Sequence, residues 1–244
     1  MKPMKRIGAI FLLALVLLWV PCHGGYAASP TFSGLWNTDQ GELRIEVAGN
    51  RLTGLFPLSS RKLDGIVTGM RSSGTWREPP TYSPPHSLGK FEVTLSGDGM
   101  QFTGRIFDSA GKLVGGISGE RPVIPSVSLS GTWATNVGDV RLMHTGTQLG
   151  GFHYGLQAAI SGSVDPSGKI SFSVLKEKQT VAKIVGSFVG NGRVFKGWWS
   201  EPPSYAPPDE AGRVVFEFAA DGSFTGTIYN GQDKVGLTLS GKRK

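Results

Sequence analysis

The sequence predicts an all-β protein built from two tandem antiparallel meanders, each an up-and-down barrel or, with the same alternation, a β-sandwich. Three observations carry this. Apolar and polar residues alternate with a period of two, turn signals recur at near-even spacing, and the chain repeats itself once. Leu43, Ile45 and Val47 alternate with Arg44 and Glu46, Phe91, Val93 and Leu95 with Glu92 and Thr94, and Val214, Phe216 and Phe218 with Val215 and Glu217. That is the pattern of strands with one buried face. Gly49-Asn50, Gly97-Asp98-Gly99, Pro166-Ser167-Gly168 and Asp221-Gly222 supply turns, and 36 glycines in 244 residues fit a chain that turns often.

In chain order, the first element is a leader. Lys2, Lys5 and Arg6 precede an apolar run from Ile7 to Val20, too short for a membrane span and followed by Gly25-Tyr26-Ala27, a small-x-small cleavage site. Residues 1–27 therefore read as a signal peptide, and the chain as exported, periplasmic or extracellular. A lipid anchor on Cys22 is the competing reading, disfavoured because Pro21 stands where that motif needs a small residue. Removing the leader takes the formal net charge from +7 to +4 (22 basic against 18 acidic residues) and removes the only cysteine. Neither disulfides nor nucleic-acid binding is expected, since the remaining basic residues are dispersed apart from Lys242-Arg243-Lys244.

The repeat defines the rest. Ser33-Gly34-Leu35-Trp36 returns as Ser130-Gly131-Thr132-Trp133, Trp76-Arg77-Glu78-Pro79-Pro80-Thr81-Tyr82 as Trp199-Ser200-Glu201-Pro202-Pro203-Ser204-Tyr205, and Ser118-Gly119-Glu120-Arg121 as Ser240-Gly241-Lys242-Arg243. The offset is 97 positions at the first tryptophan and 123 at the second, so the second copy carries an inserted hairpin, placed between Tyr154 and Val185. The expected domains are 30–121 and 129–244. Residues 122–128 form a stiff linker, because Pro122 and Pro125 interrupt any ladder. Closing each meander into a barrel would remove its exposed edges, and glycines within strands, such as Gly54, Gly65, Gly74 and Gly104, permit the necessary bends.

The opening Gly131-Thr132-Trp133, with Gly138, an apolar strand and then Gly146 to Gly151, resembles the first hairpin of the avidin and streptavidin family. The resemblance is confined to that hairpin in each copy and implies a calycin-like barrel. It does not extend to biotin: the family's biotin-binding Asn lies two residues after the tryptophan, where this chain has Thr38 and Thr135.

No nucleophile elbow, phosphate loop, dinucleotide fingerprint or metal-ligand spacing is present in the sequence, so a non-enzymatic protein without cofactor or metal is expected. The candidate binding residues come from the repeated Trp-x-Glu-Pro-Pro-x-Tyr motif: Trp76, Glu78 and Tyr82 in one copy, Trp199, Glu201 and Tyr205 in the other. Aromatic faces beside an acid on a stiff proline segment suit a saccharide or a small apolar ligand. The same tryptophans also read as structural plugs of the barrel ends. His153 joins the candidates because it takes the place of Phe56 on the inward register. The expected function is an exported binding protein for a small or saccharide-like ligand or a partner surface. The alternatives are an envelope scaffold and, third, a glycan-acting enzyme, which would need a closely spaced carboxyl pair that Glu78 and Glu201, in separate copies, do not supply.

Overall fold

The computed structural model describes residues 30–80, 87–205 and 209–244. The leader and its Cys22, like Tyr82, lie outside them. Two closed antiparallel barrels follow one another, the first of eight strands and the second of ten. Barrel 1 comprises β1 (Gly34–Thr38), β2 (Gly41–Ala48), β3 (Arg51–Phe56), β4 (Arg61–Thr68), β5 (Arg71–Arg77), β6 (Leu88–Leu95), β7 (Gln101–Asp108) and β8 (Leu113–Glu120). Barrel 2 comprises β9 (Gly131–Thr135), β10 (Val140–Thr145), β11 (Gln148–His153), β12 (Ala158–Val164), β13 (Lys169–Lys176), β14 (Gln179–Val189), β15 (Val194–Ser200), β16 (Ala211–Phe218), β17 (Ser223–Tyr229) and β18 (Val235–Arg243). Each is an up-and-down barrel in which every strand pairs with its chain neighbours, and closure comes from β1 on β8 and β9 on β18.

The two extra strands of barrel 2 are β12 and β13. Gly65 on β4 faces Gly74 on β5, and Gly186 on β14 faces Gly197 on β15, so β14 is the counterpart of β4. Gly74 and Gly197 each sit two residues before the tryptophan of the repeated motif.

The repeated tryptophans hold the barrels shut. Trp36 Nε1 donates to Phe32 O at 2.7 Å, and Trp133 Nε1 to Leu129 O at 3.2 Å, tying the segment before each barrel across its lower end, where even-numbered strands finish. Trp76 Nε1 donates to Phe107 O at 2.9 Å and Trp199 Nε1 to Tyr229 O at 2.7 Å. Both carbonyls lie at register shifts, Ile106/Phe107 and Ile228/Tyr229. A bulge disrupts the ladder locally, and the indole N–H supplies a partner there. The residues paired with these tryptophans are Gly89 and Gly212; a Cβ on either would lie 2.0 Å from the bulge carbonyl, which restricts both positions to glycine.

The proline segment between the barrels docks on barrel 2. Val123 N donates to Phe188 O at 2.8 Å and Ser126 N to Gly192 O at 2.9 Å, while Val123, Val127 and Leu129 pack into the barrel 2 core. Two prolines interrupt a ladder without preventing the intervening N–H groups from docking, so residues 123–129 close the lower end of barrel 2. The barrels also touch side to side. Lys196 Nζ meets Glu120 Oε1 at 2.9 Å, Asn37 Nδ2 donates to Lys196 O at 2.5 Å, and Lys169 pairs with Glu42. Trp198, on the outer face of β15, lies against barrel 1, where a Cβ at Gly41 would stand 3.6 Å from its indole nitrogen.

Candidate functional site

The interiors differ. Barrel 1 is filled by Phe32, Trp36, Phe56, Phe91, Phe102 and their neighbours, leaving about 10 Å3, room for about one water. Barrel 2 encloses a cavity of about 380 Å3. Its wall includes Phe172, Phe188, Phe216, Phe218 and Phe224 and is apolar throughout except for Thr135 and His153. Strand number accounts for much of this: an eight-stranded barrel is just wide enough for its side chains to fill, and a ten-stranded one is about a quarter wider.

Three replacements open the upper end of barrel 2, where the odd-numbered strands finish. In barrel 1 the Arg61 guanidinium lies over the rings of Trp76 and Phe56, 5.2 and 5.8 Å from their centroids, and is held by Glu78 at 2.7 Å and by the Gln40 side-chain oxygen. Carrying the repeat across, Gln40 becomes Val137, Phe56 becomes His153 and Arg61 becomes Ala182. The charged lid is gone. Val137 and Leu156 both line the cavity and are exposed, so the mouth is apolar.

His153 ends β11 at this mouth. Its Nδ1 accepts the backbone N–H of Leu156 at 3.2 Å, and burial holds its pKa below the usual histidine range. The neutral ring therefore carries its proton on Nε2, which has no hydrogen-bond partner among the described residues. Thr135, the other polar wall residue, is occupied: its hydroxyl donates to Gly138 O and accepts from Val137 N.

The remaining sequence candidates fall elsewhere. Trp76 is 5% exposed with one face under Arg61, and with Gln40, Ser59 and Arg61 it borders an open pocket of about 370 Å3. Glu78 is engaged by Arg61. Trp199 points inward, half-buried, with its N–H spent on the bulge carbonyl. Glu201 has no ion-pair partner among the described residues, and its backbone N–H donates to Glu210 O. Tyr205 is exposed at 38%, with Lys183 Nζ 4.8 Å from its ring centroid. The structure thus places His153 on the cavity wall and the Glu201–Tyr205 loop, which joins β15 to β16, at the same upper end. It separates both from Trp76 and Glu78, which belong to the other barrel. Sequence reading missed the cavity-lining phenylalanines as a site, because inward phenylalanines read as core. It also missed His144, which takes the inward place of Val47; its Nε2 is buried with no hydrogen-bond partner among the described residues.

No family model and no curated protein matches this chain. Among solved structures it is similar to isotype 1 transferrin binding protein B from serogroup B Neisseria meningitidis, at 10% identity and a TM-score of 0.25, covering 83% of this chain and 65% of that one. A tryptophan-to-alanine mutant of transferrin binding protein B from Haemophilus parasuis Hp5 follows at 8% identity and a TM-score of 0.26, covering 83% and 64%. Intact Ap-TbpB, with its N and C lobes, stands at 12% identity and a TM-score of 0.26, covering 83% and 61%. This chain thus spans less than two thirds of the length of each of these three. At that level of similarity the likeness says nothing about ligand or partner. None of the three is an avidin or streptavidin.

Proposed function

We propose that this chain is an exported, non-enzymatic binding protein whose second barrel carries a small apolar ligand, with barrel 1 as its filled companion. The observation that carries the reading is the apolar cavity of about 380 Å3 inside β9–β18. Ligand sites typically measure about 300–1,000 Å3, and about 150 Å3 of dry apolar space suffices to bind benzene. Wall atoms without partners forgo dispersion contacts, which an apolar occupant restores. A saccharide would bring hydroxyls to a wall with two polar residues, each unpaired hydroxyl costing about 1–3 kcal/mol. The apolar class is therefore favoured over the carbohydrate class. The export half of the reading rests on the leader sequence.

Titrating the full chain with N-phenylnaphthylamine, a neutral fluorophore that brightens in apolar surroundings, tests the reading. Saturable binding of one equivalent, displaced by long-chain lipids and unaffected by oligosaccharides, is the expected result. Absence of saturable binding overturns it.

A further inference from the structure

The cavity surface is almost wholly apolar and its two polar residues stand only at the mouth, which constrains what binds. The wall is apolar from the lower end, closed by Leu129, up to the mouth. At the mouth stand Thr135 and His153. The Thr135 hydroxyl already donates to Gly138 O, whereas His153 has Nδ1 fixed by Leu156 N and Nε2–H without a partner among the described residues. A hydrogen-bond donor beside an apolar pocket matches a molecule with a long apolar part and an acceptor at one end. Barrel 1 shows the contrasting arrangement at the same place, where Phe56 fills the position and a charged lid covers it.

We propose that barrel 2 takes a single-chain acyl compound tail first, with its carboxylate or ester carbonyl oxygen at the mouth accepting a hydrogen bond from His153 Nε2. This rests on the apolar-ligand reading above and adds head-group recognition to it. The shared chemistry is the acyl oxygen, which a free fatty acid and an esterified chain both present. Nothing in the wall favours a second chain or a bulky polar head inside the barrel.

The test compares dodecanoate, methyl dodecanoate and N-phenylnaphthylamine on the full chain carrying His153, His153→Leu or His153→Gln. Leu removes the donor, and Gln restores an N–H. His153→Leu should weaken dodecanoate by about tenfold or more, the effect of one hydrogen bond to a charged acceptor, and the methyl ester by about threefold or more. His153→Gln should recover most of the loss, whereas the fluorophore, which has no acyl oxygen, should not follow that order of loss and recovery. Preference for dodecanoate over its methyl ester identifies the free acid as the source; equal loss for both on His153→Leu identifies the carbonyl. Nitrogen NMR of the unmutated protein provides a reading independent of variant folding, since the His153 Nε2 resonance should shift with dodecanoate and not with the fluorophore. If the fluorophore binds but acyl affinity is unchanged in His153→Leu, or the Nε2 resonance does not move, the head-group assignment is wrong and the apolar cavity stands. If neither fluorophore nor dodecanoate binds, both are wrong.

Discussion

Barrel 1 and barrel 2 descend from one repeated sequence yet solve their interiors in opposite ways. They share the Trp36/Trp133 ties, the Trp76/Trp199 clasps on bulge carbonyls and the Gly89/Gly212 positions those clasps require. These repeated features hold the fold. The differences lie in the inserted strands β12 and β13 and in the exchanges Gln40 to Val137, Phe56 to His153 and Arg61 to Ala182. Together they widen one barrel and unlid it. In a duplicated protein, the features common to both copies thus point to structure, and those confined to one copy point to function.

Truncating core phenylalanines should break the symmetry most visibly. Phe91, 1% exposed in the packed barrel, should cost about 3–5 kcal/mol on replacement by Ala. Phe172, facing the cavity, should cost about half that, because the side turned to open space has fewer partner atoms to lose. Denaturant unfolding of the full chain, followed barrel by barrel, measures both. Equal costs would mean that barrel 2 is packed.

Enlarging a side chain should reverse sign between the barrels. Ile45→Phe overpacks barrel 1 and should cost about 1–3 kcal/mol. Ile160→Phe fills part of the barrel 2 cavity and should stabilise by about 0.5–2 kcal/mol while reducing fluorophore binding. A destabilising Ile160→Phe would contradict the cavity.

The smallest effect should come from rebuilding the lid. Ala182→Arg brings a guanidinium to the place Arg61 holds in barrel 1, where Glu201 repeats Glu78. Ligand affinity or exchange should fall by a few-fold, with stability changed by less than about 1 kcal/mol, the range of a partly exposed ion pair. The reverse substitution, Arg61→Ala, should not create binding in barrel 1, whose interior is full.

Much of the fold was legible in the sequence. The period-two runs around Leu43 and Phe91 and the repeat of Gly-x-Trp gave strands, copies and the inward register of His153, because alternation and glycine placement are local. Alternation does not distinguish barrel from sandwich, since both bury one face of each strand and only long-range pairing of β1 on β8 decides it. The proline segment reads as a stiff linker from its residues alone, and its docking is not legible there because its partners, Phe188 and Gly192, are more than sixty residues away. The Trp-x-Glu-Pro-Pro motif pointed to aromatic faces, but whether Trp76 is a platform or a plug depends on Arg61 and Phe107, which local pattern does not bring together. The cavity itself was illegible, because a volume left between ten strands is a sum over all inward side chains.

Diffraction from crystals grown with a terminally brominated fatty acid tests the central claim most directly. The account predicts anomalous bromine density inside barrel 2, among Phe172, Phe188 and Phe216, and none inside barrel 1. Bromine found only on the outer surface, or a barrel 2 interior closed by its own side chains, would contradict it.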